Sequence, residues 1–127
     1  MDISSEVLAA ILDSYAYEIV FVDRYHNIQY LNRMAKRRYG QRVQVGNCIF
    51  DCMSESSAEK IKQFLKRADQ GENEMFQVVN TKTGEREFFV PVRDNSGHVI
   101  GYWERHEAHW DNSNPSKSTY EYWKNRI

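Results

Sequence analysis

The stretch EIVFVDRYHNIQYLNRMAKRRYG, Glu18–Gly40, holds most of the information about the fold. Ile19, Val20, Phe21 and Val22 are consecutive and apolar, the pattern of a strand buried on both faces, read here over Tyr17–Asp23. The polar run from Asp23 to Asn27 turns the chain, and Ile28–Leu31 returns as a second strand. Asn32 is a good N-cap for a helix through Met34, Ala35 and Tyr39 that ends at Gly40.

Upstream, Ile3, Val7, Leu8, Ile11, Leu12 and Tyr15 recur at helical spacing, which predicts an amphipathic helix over residues 3–16. Downstream, residues 43–53 read as irregular, with a short helical turn. Ser56 and Glu59 fit a capping box ahead of a helix whose face is Ile61, Phe64, Leu65 and Ala68 and whose stop is Gly71. Strands are expected over Glu74–Asn80, Glu87–Arg93 and His98–Ala108, joined by the turns Thr81–Gly84 and Asp94–Gly97. In the middle strand Phe88, Val90 and Val92 alternate, so their face is expected to meet the core. A polar linker then leads to a terminal segment, Ser118–Ile127, read as a short helix that must dock on something. Helix, two strands, helices and three strands make an α+β domain, an antiparallel sheet with its helices on one side.

The chain has 127 residues, one domain's worth. The mean hydropathy of −0.74 looks hydrophilic, yet 13% of residues are aromatic, which excludes a disordered chain. The longest uncharged apolar run, Val7–Leu12, is far short of the roughly 18 residues that cross a bilayer. The first residues lack a basic start and an apolar stretch, so no signal peptide is expected. Two cysteines, Cys48 and Cys52, make no disulfide framework, and a reduced, cytoplasmic setting is expected. The net charge of −1 conceals a basic segment. Residues 24–50 hold Arg24, Arg33, Lys36, Arg37, Arg38 and Arg42 and no acid, so the rest of the chain carries −7. This segment reads as a solvated basic surface, with a surface for an anionic ligand or an acidic partner as the alternative, and nucleic-acid binding is not expected from a pI of 6.4.

The order of elements resembles a PAS domain, and so do local strings. Glu18–Gly40 is similar to the family's opening, Val45–Met53 (VGNCIFDCM) to the stretch after it, and Glu87–Gly101 (EFFVPVRDNSGHVIG) to its closing hairpin. Within that hairpin Pro91, Arg93, Asp94, Gly97 and Gly101 stand at the expected places. The resemblance covers roughly residues 8–111, and implies a five-stranded antiparallel sheet that cups a small pocket beneath helices. It implies sensing, ligand binding and dimerisation. The domain is taken as residues 17–111, with a flanking helix over 1–16 and a linker and short helix over 112–127.

No acid, base and nucleophile set stands out, so an enzyme is not expected. Asn47-Cys48-Ile49-Phe50 resembles part of the flavin-binding LOV signature, but Ile49 replaces its arginine and the last strand lacks its glutamine. Cys48 is read instead as a small buried thiol. His106 and His109, three apart on a strand, point to opposite faces and do not make a joint metal site. Haem would have to use His98 or His106, because the helix over residues 58–70 has no histidine. No metal ligand set is assigned, and the identity of any small-molecule cofactor is open.

The expected pocket lining is aromatic: Phe21, Tyr30, Met34, Phe50, Ile61, Phe64, Phe76, Phe88, Val90 and Tyr102. Glu104, with Tyr102, supplies polar contacts that orient a ligand. The resemblance points to a bacterial-type signalling module that acts through a homodimer or a separate effector protein. A ligand-free interaction module is the alternative.

Overall fold

Asn32 ties the first half of the chain together. The computed structural model describes residues 2–80 and 85–108, except for the side chains of 76–80, 85, 107 and 108. Asn32 is fully buried between strand β2 (Ile28–Leu31) and helix α2 (Arg33–Tyr39). Its Oδ1 accepts from the backbone N–H of Ala35 (3.0 Å), capping α2, and from that of Ile19 (2.9 Å), at the start of strand β1 (Ile19–Asp23). Its Nδ2 donates to the carbonyls of Tyr17 (2.9 Å) and Leu12 (3.1 Å). One side chain thus satisfies four backbone groups, three of them buried.

The β1–β2 turn is closed by Asp23, whose Oδ1 accepts from the N–H groups of Tyr25 (2.8 Å) and Asn27 (3.0 Å). His26 in this turn has a φ of 70°, unusual for a residue with a side chain. Its ring packs on Phe50 at 4.1 Å between centroids, and Nδ1 lies 3.2 Å from Tyr102 Oη.

Two short 3-10 turns, Gly40–Arg42 and Ile49–Cys52, lead into helix α3 (Glu55–Asp69). Ser54 caps α3 through the N–H of Ser57, so the expected capping box at Ser56 and Glu59 is corrected. Ile61, Phe64, Leu65 and Ala68 form its buried face. Its C-terminal end is held by Arg93, which donates to the Ala68 carbonyl (2.8 Å), and by a two-pronged pair between Arg24 and Asp69 (2.9 and 3.0 Å).

Strands β3 (Met75–Asn80), β4 (Glu85–Arg93) and β5 (Val99–Ala108) complete an antiparallel sheet in the order β2-β1-β5-β4-β3. Asp94 closes the β4–β5 turn by accepting from the N–H groups of Ser96 and His98. The pairing then slips by one residue. Arg93 faces Val99, but Val92 faces Gly101, and Ile100 is bulged out between them. At Gly101 the backbone runs so close to β1 that a Cβ would strike the Val22 carbonyl oxygen and the Phe21 ring.

The bulge decides which face of β5 is inside, and it sets Tyr102, Glu104 and His106 on the side where Arg93 and Phe89 of β4 lie. A one-residue slip exchanges the faces of every residue beyond it. Phe89 is buried in the core, with Val20, Val22 and Tyr102. Phe88 and Val90 lie on the opposite face, across from Arg105 and Trp103. The expectation that Phe88, Val90 and Val92 face the core is therefore corrected.

Helices α2 and α3 cover the inner face. Helix α1 (Ser5–Asp13) does not join them. Tyr30 Oη donates to the Ala9 carbonyl (3.3 Å), and Leu12 shares an outer-face groove with Ile19, Phe21, Tyr30 and Trp103. The expectation of helices on one side only is corrected accordingly. The turn at 81–84, His109 and the expected C-terminal helix lie outside the described residues.

Candidate functional site

The inner face of the β4–β5 ladder changes character along its length. Near the middle, Phe64, Phe89 and Tyr102 form a three-ring cluster with centroids 5.9–6.0 Å apart, two of the contacts edge-on. Further along the same face the rings give way to charge. Glu87 stands opposite His106 and Phe89 opposite Glu104, so Glu87, Glu104 and His106 converge. His106 Nε2 lies 3.8 Å from a Glu87 oxygen and 3.9 Å from a Glu104 oxygen. On its other side Nδ1 lies 3.6 Å from Glu18, a fully buried carboxylate that Arg38 approaches at 3.3 Å.

Three carboxylates meet two cationic groups here, and the proton affinities of Glu87 and His106 respond. Burial, and then the Glu104 charge, push the Glu87 carboxyl up to about 7. Burial opposes a charge on His106, but the carboxylates, Glu104 foremost, outweigh it and raise its pKa above the ordinary value. The same environment keeps its neighbours neutral. Burial, reinforced by Glu104, raises Tyr39 and Tyr102 well above the ordinary phenol range and lifts the Cys52 thiol. A thiol shifted in that direction is not an activated nucleophile.

A cavity of about 290 Å³ opens beside this cluster. Glu87, Glu104 and Phe89 form its floor, and Tyr39, Arg42, Val43, Ile49, Cys52, Met53 and Ser57 are among its walls. It therefore lies between the sheet and the chain linking α2 to α3. Apolar walls with a few charged groups are the ordinary make-up of a small-molecule site.

The residues expected to line a pocket are distributed otherwise. Glu104 lines the cavity. Ile61, Phe64 and Tyr102 are buried against other core side chains, Met34 is buried on α2, and Phe50 is half-buried beneath His26 and Lys62. None of these five is a lining residue. Phe21 and Tyr30 belong to the outer groove, and Phe88 and Val90 are on the outer side of the sheet. These four are corrected as pocket residues. The Phe76 side chain lies outside the described ones. Cys48, expected to be buried, is half-buried, and Cys52 is exposed at the cavity wall.

In the sequence His106 is weighed only with His109 or as a haem ligand, and Glu18 and Glu87, which look like surface residues, are passed over. The available signal was Glu104-x-His106, a pair two apart and so on one strand face.

A model of the PAS domain family matches residues 8–104. The chain belongs to the PAS domain family. Solved structures show the same fold. The C-terminal domain of a Streptococcus mutans protein is similar with a TM-score of 0.68 at 23% identity, over 82% of this chain and 84% of that one. A Colwellia psychrerythraea PAS domain is similar with a TM-score of 0.61 at 14% identity, over 81% and 94%. A sensory box sensor histidine kinase from Vibrio cholerae is similar with a TM-score of 0.56 at 16% identity, over 80% and 85%. No curated protein matches. Among the described residues of this PAS domain, no helix is long and apolar enough to cross a membrane.

Proposed function

We propose that this PAS domain is a sensory module that holds a small molecule in the cavity between its sheet and the α2–α3 connection. The observation that carries this reading is the cavity of about 290 Å³ with Glu87 and Glu104 in its floor and Arg42 in its wall. Its volume is near the lower end of ligand sites, so a compact ligand fits better than a large cofactor. Charged groups at both the floor and the wall favour a polar or zwitterionic molecule.

The test is to denature the purified full chain and identify what it releases by mass spectrometry. The wild type should release one defined small molecule. The Ser57→Trp variant, which fills the cavity from α3, should fold and release none. A wild type that releases nothing, or a folded variant that releases as much, overturns the reading.

A second reading concerns output. Ile3, Val7, Leu8, Ile11 and Leu12 are all exposed at the α1 end of the chain, beside the apolar outer groove. A nine-residue helix without a buried side chain gains little stability alone. A second copy of the chain covering this face accounts for the pattern. Light scattering should give a dimer for the wild type and a monomer for Leu8→Glu. A wild-type monomer at high concentration contradicts it.

A further inference from the structure

We infer that Glu87, Glu104 and His106 form a binding site for one first-row divalent metal ion, such as Zn²⁺, Mn²⁺ or Fe²⁺. Ligand atoms of the three residues lie within 4.8 Å of one another. Two ligands on a tetrahedral Zn²⁺ are roughly 3.4 Å apart, given bonds of about 2.0–2.2 Å. The 3.8 and 3.9 Å separations from His106 Nε2 are wider by a few tenths of an ångström, within reach of small side-chain rotations.

The histidine carries the argument beyond a group of acids. Its side chain is 5% exposed, it points between the two carboxylates, and Nε2 has no hydrogen-bond partner among the described residues. A buried polar atom without a partner is costly, and a metal ion would remove that cost. The far side of the ring fits as well. Histidines that bind metals usually present the other ring nitrogen to a carboxylate, which fixes tautomer and orientation. Here Nδ1 faces Glu18, itself fully buried and approached by Arg38. Glu18 is thus a positioning residue.

The chemistry of the donors selects the metal. One imidazole with two carboxylates suits borderline first-row ions, whereas Mg²⁺ and Ca²⁺ favour all-oxygen sites. Glu87 and Glu104 also border the cavity, so the remaining coordination positions would face it. Metal binding here does not depend on the cavity holding a small molecule, since the metal alone is the probe.

The experiment uses the full chain, stripped with EDTA, dialysed and titrated with Zn²⁺ by calorimetry and with Co²⁺ by visible absorption. One ion per chain is expected. Glu104→Gln and His106→Gln should each weaken binding more than ~100-fold, and Glu18→Gln by ~10–100-fold. A Cys48→Ser variant and His98→Ala should leave affinity within roughly 3-fold. Long-range ¹H–¹⁵N spectra of the wild type make the test independent of variant folding, because Zn²⁺ should shift His106 Nε2. Failure to bind Zn²⁺ saturably, binding that survives His106→Gln, loss of binding in the cysteine variant, or a shift confined to another histidine overturns the site. Release of a small molecule by a chain that binds no Zn²⁺ would overturn the metal site alone.

Discussion

Glu87 and His106 stand directly opposite each other across the β4–β5 ladder, with 3.8 Å between carboxylate oxygen and Nε2. The imidazole is the cationic group closest to three carboxylates at once. Removing it by His106→Ala takes away the buried partner that those carboxylates share, and should cost about 3–5 kcal/mol in EDTA at neutral pH. Glu87→Gln removes the repulsion with Glu104 instead, and should not destabilise. Urea denaturation of both variants checks the pair, and equal losses would contradict this account of the cluster.

Asn32 makes four hydrogen bonds to backbone groups, two as acceptor and two as donor, and three of those groups are buried. Asn32→Ala loses the α2 cap and leaves the buried groups of Ala35, Ile19 and Tyr17 unsatisfied, so a loss of about 3 kcal/mol or more is expected. Asn32→Asp keeps the two accepted bonds and should fall between wild type and alanine. Thermal melts that rank aspartate with alanine would contradict the acceptor role, and melts that rank it with the wild type would contradict the donor role.

Gly101→Ala tests the close approach of β5 to β1. The added methyl meets the Val22 carbonyl, which is backbone and cannot swing away. A destabilisation of about 2–3 kcal/mol is expected, with faster amide exchange in β1. An unchanged melting temperature would contradict the register.

The sequence was most legible where local chemistry decides the outcome. The Asn32 cap, the Ile28–Leu31 strand, the α3 face and the Asp94–Gly97 turn all follow from residue type and spacing. The candidate site was illegible because it depends on the bulge at Ile100. If the Arg93–Val99 register is continued without that bulge, Phe88 and Val90 fall opposite Glu104 and Tyr102. That is the lining expected from the alternating apolar residues. The bulge instead turns Tyr102, Glu104 and His106 of β5 to the inner side, where Phe89 and Glu87 lie. No spacing rule in the hairpin marks such a slip, and its outward-turned apolar residues imitate a core face.

Asp23 provides the pH prediction. Burial opposes its ionisation, but the N–H of Asn27, the Gln29 amide and the N–H of Tyr25 outweigh it and hold the carboxyl below its ordinary 3.8. A depressed folded pKa means stability that is present above 3.8 and lost as pH falls through the folded value. Asp23→Ala should therefore cost about 1 kcal/mol at neutral pH. The cost should stay constant down to about pH 5 and shrink below pH 4. Acid titration of both proteins by circular dichroism checks this, and a cost that grows on acidification would contradict it.

The most direct measurement of the central claim is an amide chemical-shift map of the full, stripped chain as the molecule it releases is added back. Shifts are expected at Val43, Cys52, Ser57, Phe89 and Glu104, around the inner cavity. Shifts confined to Leu12, Phe21, Tyr30 and Trp103, around the outer groove, would contradict it.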